Sequence, residues 1–115
     1  MDVDTRAVVD LDVNGKQLVG VGDGNGPVNA IDTALRSVLI DTYPELEQIF
    51  LVDYKVRVLD TEKGTGAVTR VLLDSSNGEE TWTTIGVSEN IIEASWQALV
   101  DSIVYGLLRA RAEQN

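Results

Sequence analysis

The residues able to do chemistry are few, and the absent ones decide most. The 115-residue chain has no cysteine and no histidine. That removes thiolate nucleophiles, disulfides, Cys-ligated zinc, the commonest general base and the commonest metal ligand. Ser88 and Ser95 have no imidazole to take their protons, so a Ser-His relay is excluded. The most unusual stretch is rich in glycine: Gly20, Gly22, then Asp23-Gly24-Asn25-Gly26-Pro27. It falls between a predicted strand and a predicted helix, where free N–H groups and the helix dipole favour an anion. It is not G-x-x-x-x-G-K-[ST], and no lysine is placed to reach a phosphate. Read as a calcium loop, Asp23 and Asn25 fill the first and third positions, but the twelfth is Ala34 and not glutamate. A tight strand-to-helix turn built on positive-φ glycines accounts for the stretch without a ligand.

Gly64-Thr65-Gly66 reads as a second glycine turn. Asp41, Glu45 and Glu47 read as a solvated acidic loop, with nothing to mark them as a hydrolase pair. Residue types therefore favour a ligand-binding or assembly module over a catalyst, and no cofactor is expected. Nineteen acidic residues against nine basic give a formal charge of −10. That balance opposes nucleic acid and anionic membranes as partners. No apolar run approaches the ~18–20 residues needed to span a bilayer, and the N-terminus lacks a basic start followed by an apolar core. The expectation is a cytoplasmic protein.

The elements that must position these residues repeat. Ala7 to Val13 and Lys16 to Gly22 flank Asn14-Gly15, the strongest short hairpin cue. Ala67 to Leu73 and Thr81 to Val87 flank Asn77-Gly78 on the same plan, and each hairpin leads into a helix. Gly22 matches Gly86, Ala30 matches Ala94, Ala34 matches Ala98 and Leu35 matches Leu99, all at an offset of 64. The first helix should start at Pro27 and end before Pro44, burying Val28, Ile31, Leu35, Val38 and Leu39. The second should start with a capping box of Asn90 and Glu93 and bury Ile92, Trp96, Leu99, Ile103 and Leu107. Gly106 should weaken its last turn, leaving Arg109 to Asn115 as a fraying tail. Between them, Ile49 to Leu59 alternates: Val52, Tyr54, Val56 and Val58 on one face, Asp53, Lys55 and Arg57 on the other. That predicts an antiparallel strand covered on one side. The fold class is α+β in a single 1–115 domain of two pseudo-symmetric β-β-β-α units, about 3–43 and 47–110. The first unit is one strand short, either lacking it or having it upstream, as if the chain were cut.

These segments resemble the C-terminal regulatory domain of the isopropylmalate synthase and citramalate synthase family. The resemblance is carried by Gly24-Asn25-Gly26-Pro27-Val28-Asn29-Ala30, Val52-Asp53-Tyr54-Lys55-Val56-Arg57, Gly64-Thr65-Gly66-Ala67-Val68-Thr69-Arg70-Val71 and the block from Gly86 to Leu99. The last block is closer to the citramalate synthase type. The resemblance implies a homodimer that binds a branched-chain amino acid end product, isoleucine for the citramalate type. That binding would inhibit a catalytic barrel, a transferase condensing acetyl-CoA with a 2-oxo acid, which lies outside this chain. A leucine-sensing domain of an isopropylmalate synthase and a purely structural dimerisation domain are the alternatives. By position, the effector's apolar wall would be Leu51, Tyr54, Val58, Ala67 and Val68, closed by Val87 and Ile91. Asp23, Gly24, Asn25, Gly26 and Thr65 would take its charged end. Glu89 stands where proline is common in the family, at the rim of that pocket.

Overall fold

The computed structural model describes residues 5–60 and 67–113. The chain divides into two units, Met1–Glu47 and Gln48–Asn115. The first holds β1 (Thr5–Val13), β2 (Lys16–Gly24) and α1 (Pro27–Leu39). β1 and β2 pair antiparallel from Thr5 opposite Gly24 to Val13 opposite Lys16. Asn14 and Gly15 close the hairpin with φ of 54° and 81°, the double positive φ of a type I′ turn. Asp12 accepts the Gly15 N–H at 2.9 Å. Pro27 opens α1, whose Val28, Ala30, Ile31, Ala34, Leu35 and Val38 are buried.

The glycine segment corrects one expectation. Gly20, Gly22 and Gly24 belong to β2, at alternate positions facing α1. Their role is closeness. A Cβ on Gly22 would collide with the backbone of Ala30 and Ala34, and one on Gly20 or Gly24 would also meet α1 backbone. Of this stretch only Gly26 has positive φ, 115°. The acidic loop is corrected too. Pro44–Gln48 forms a 3₁₀ turn whose Leu46 is fully buried, and Arg36 bridges Asp32 at 3.0 Å and the Leu46 carbonyl at 3.0 Å.

The second unit holds β3 (Phe50–Asp60), β4 (Ala67–Ser76), β5 (Thr81–Ser88) and α2 (Ile91–Glu113). The strands form one antiparallel sheet in the order β3-β4-β5, with a bulge in β3 between Leu51 and Asp53. α2 packs on β5 and β4. Gly86 repeats the device of Gly22: a Cβ there would strike the backbone of Ala94 and Ala98. The glycines and alanines matched at offset 64 thus make the same contact in the two units, glycine on the strand and alanine on the helix. Ala30, Ala34, Leu35, Ala94, Ala98 and Leu99 are all at most 2% exposed.

Several expectations about this unit are corrected. α2 buries Leu99 and Ile103 as predicted, but its buried face is otherwise Ala94, Ser95, Ala98, Ser102 and Gly106; Trp96 and Leu107 are half-buried and Ile92 is 57% exposed. Small residues win at Ala94 and Ala98 because the helix backbone there rides on Gly86 of the sheet. Gly106 is likewise a contact and not a weak point, since a Cβ there would lie 2.6 Å from Ile49 Cδ1 and 2.9 Å from Trp82 Cζ2. The helix continues through Arg109 to Glu113. β3 is not covered on either side by its own unit: Val52, Val56 and Val58 are exposed, Val58 by 65%. Finally, the 22 residues Ile91–Ala112, of mean hydropathy 1.2, are long and apolar enough to cross a bilayer by length and composition. One face of α2 packs against β4 and β5, which buries 39% of that apolar window within the chain.

The capping box closes by a detour. Asn90 Oδ1 accepts the Ile92 N–H at 2.7 Å. The Asn90 N–H donates to Ser88 Oγ at 3.2 Å, and that hydroxyl donates to Glu93 Oε2 at 3.2 Å. Glu93 serves the helix start through Ser88.

Candidate functional site

Asp23 is placed by β2 opposite Arg6 of β1, on the hairpin face away from α1. Arg6 Nε donates to Asp23 Oδ1 at 2.8 Å and Nη2 to Oδ2 at 3.4 Å. This bond holds the Asp23 carboxyl below the ordinary carboxylate range and raises Arg6. The carboxylate expected to meet an ammonium already has a cation. Gly24 ends β2, Asn25 is exposed, and Gly26 is the N-cap residue of α1 with no side-chain cap. The Gly26 carbonyl accepts the Ala30 N–H at 3.1 Å.

The other named residues belong to the second unit, and strand alternation sorts them. Leu51 lies opposite Ser75, Tyr54 opposite Leu73, Val58 opposite Thr69 and Ala67 opposite Asp60. Opposed residues share a face, so these four stand on the side of Val71 and Leu73, the side α2 covers further along the sheet. Val68, opposite Leu59, and Val87, opposite Arg70, stand on the reverse face. One face therefore brings together Leu51, Tyr54, Val58 and Ala67, and excludes Val68 and Val87. Ile91 begins α2 and is half-buried. Thr65 lies outside the described residues.

Two clusters escaped the sequence reading. Glu80, after the β4 turn, accepts from Tyr105 OH at 2.5 Å and pairs with Arg109 Nη2 at 2.9 Å. Tyr105 also packs on Trp82, ring centroids 5.1 Å apart. The Tyr105 hydrogen bond, outweighing partial burial and aided by Arg109, lowers the Glu80 carboxyl; the same bond raises the Tyr105 phenol. Deeper in the unit, Ser75 and Ser102 hydroxyls meet at 2.6 Å, and Trp82 Nε1 donates to the Ser102 carbonyl at 3.2 Å. Residues 20 to 29 apart in sequence meet here only because β4, β5 and α2 fold together, so no local spacing betrayed them. Ser95, fully buried, has a hydroxyl with no partner.

The comparisons with known proteins bear on the same residues. The model of the LeuA allosteric (dimerisation) domain matches residues 1–107. This chain belongs to that family. Its relatives include the (R)-citramalate synthase of Synechocystis sp., 55% identical over 101 residues that make up 88% of this chain and 18% of that protein. Those of Streptomyces coelicolor and Aquifex aeolicus are 54% and 49% identical, over 91% and 95% of this chain and 20% and 21% of the relatives. The chain spans about a fifth of the length of these relatives. Within the family, the match runs from the β1–β2 hairpin into α2, so the glycine–alanine contacts of both units lie inside it.

Proposed function

We propose that this chain is the amino-acid-sensing and dimerisation domain of a citramalate synthase-type enzyme, with isoleucine as its feedback effector. The observation that carries the reading is the match of residues 1–107 to the allosteric domain, together with about half-identity to synthases of that name across nine-tenths of the chain. The parent would condense acetyl-CoA with a 2-oxo acid on a separate catalytic barrel. This domain would join two such chains and report the end product to them.

The chemistry of the second unit supports an apolar effector. Leu51, Tyr54, Val58 and Ala67 share a sheet face beyond the reach of α2, and Val58 is β-branched and stiff at χ1. Such a wall discriminates where a side chain branches. In the first unit, taken by itself, the N–H groups after Gly26 are suited to a carboxylate. An effector ammonium would compete with Arg6 for Asp23. The reading makes no use of Val68 and Val87 as side-chain wall.

Calorimetric titration with isoleucine and leucine tests it. Isoleucine should give saturable heat and bind roughly 10- to 200-fold more tightly, the value of one misplaced methyl in a packed pocket. Leucine binding as well or better would assign the domain to a leucine-inhibited isopropylmalate synthase. No heat from either, with a dimer by sedimentation, would leave a structural dimerisation domain.

A further inference from the structure

Asn-Gly occurs three times, at Asn14-Gly15, Asn25-Gly26 and Asn77-Gly78. At each, a backbone nitrogen can attack the side chain that precedes it. The glycine nitrogen adds to the asparagine Cγ, the Cγ–N bond of the side-chain amide breaks, and ammonia leaves. The five-membered succinimide that results takes up one water and opens, at either carbonyl, to aspartate or isoaspartate. Glycine favours the attack because no Cβ crowds its nitrogen. The residue attacking is the same at all three places, so the fold alone sets them apart.

Two of the three are tied. The Gly15 N–H donates to the Asp12 carboxylate at 2.9 Å, and the closed turn holds Asn14 at a φ of 54°. A nitrogen that shares its proton with a carboxylate is slow to attack. The Gly78 N–H donates to Ser76 Oγ at 3.0 Å, and Asn77 Oδ1 is fixed by the N–H groups of Glu79 and Glu80 at 3.0 and 2.8 Å. Asn77 cannot swing its Cγ onto Gly78 without giving these up. Asn25 has no such restraint. It is exposed between the end of β2 and the start of α1, and neither its side chain nor the Gly26 N–H makes a hydrogen bond among the described residues.

We infer that Asn25 is a site of spontaneous deamidation, left open by the fold where Asn14 and Asn77 are shielded. The change adds one negative charge just ahead of α1, and isoaspartate also adds a methylene to the main chain between Gly24 and Gly26. An anion at that end suits the helix dipole, so the unit stays folded. The same anion competes for the positive end of α1 with the carboxylate of an effector. The modified domain is thereby desensitised as the molecule ages. This consequence, unlike the modification, rests on the effector reading.

Ageing of the intact chain in mildly alkaline buffer made with heavy-oxygen water tests it, the label being placed by peptide fragmentation. Asn25 should take up label at least about tenfold faster than Asn14 or Asn77, the worth of one hydrogen bond to a charged group or of several neutral ones. Unfolded in urea, the three should react at similar rates. Equal rates in the folded chain, or Asn25 slower than either, overturns the inference. So does a ranking that persists in urea, since the fold would not be its cause. Anion exchange separates the deamidated chains by their added charge. That fraction should keep its circular dichroism and bind isoleucine several-fold more weakly than the unmodified one. Undiminished binding overturns the desensitisation. Binding by neither fraction counts against the effector reading, while the labelling still decides the modification.

Discussion

Ser95 and Ser102 sit on the same buried face of α2, seven residues apart, with opposite fates. Ser102 is bonded to Ser75 and Trp82, whereas the Ser95 hydroxyl has no partner. A buried hydroxyl left unpaired costs about 1–3 kcal/mol. Ser95→Ala should therefore raise the denaturation midpoint, and Ser102→Ala should lower it by leaving the Ser75 hydroxyl without its partner, while the Trp82 N–H keeps only the Ser102 carbonyl. Equal effects of the two in urea unfolding would contradict this account. At Gly86 the relevant atom is the Cβ that is missing. Gly86→Ala should cost about 1–3 kcal/mol or more, since helix backbone and not a yielding side chain stands in the way. Asp23→Asn should release Arg6 and weaken effector binding, a change calorimetry reads directly.

Glu80, Tyr105 and Arg109 tie the second half of α2 to the β4–β5 turn, and their proton equilibria make the tie depend on pH. Folding lowers the Glu80 carboxyl, so its contribution is present above the ordinary carboxylate range and is lost as pH falls through the depressed value. Folding raises the Tyr105 phenol, so its contribution is present below the ordinary tyrosine value and is lost as pH rises through the raised one. Tyr105→Phe should remove the alkaline loss and shift the acid loss to higher pH, read by Trp82 fluorescence during unfolding. The hairpins and helix starts were legible beforehand because Asn14-Gly15 and Pro27 act locally. The face of α2 was not. Periodicity assigns the core to the largest apolar side chains, but Gly86 lets the helix lie so close that only Ala94, Ser95 and Ala98 fit. The candidate wall was half legible for a related reason. Position along the chain grouped Val58 with Val68, and the pairing of Val68 with Leu59 turned Val68 to the other side.

Across the whole chain, apolar surface is left open on more than one face. On α2, Ile92, Val104 and Leu108 are exposed, and on β3 Val58 is exposed on the side facing that helix layer. Tyr54 stands in this β3 row, half-buried. Tyr54→Ala should abolish isoleucine binding by calorimetry while leaving the sedimenting species unchanged. Loss of both together would mean that Tyr54 holds the copies to each other.

β2 makes a further statement about which changes the molecule can absorb. Gly20, Gly22 and Gly24 face α1 with no side chain, while Val19, Val21 and Asp23, alternating with them, face outward. The strand is held to its helix by distance alone, and no choice of polarity or size can substitute for an absent group. A saturation library across Gln17 to Gly24 should thus return survivors in a beat of two: broad replacement at the odd positions, silence at the even ones from Gly20 onward. Adaptation of this hairpin to a new partner has one surface to work on, and its other surface is closed to drift.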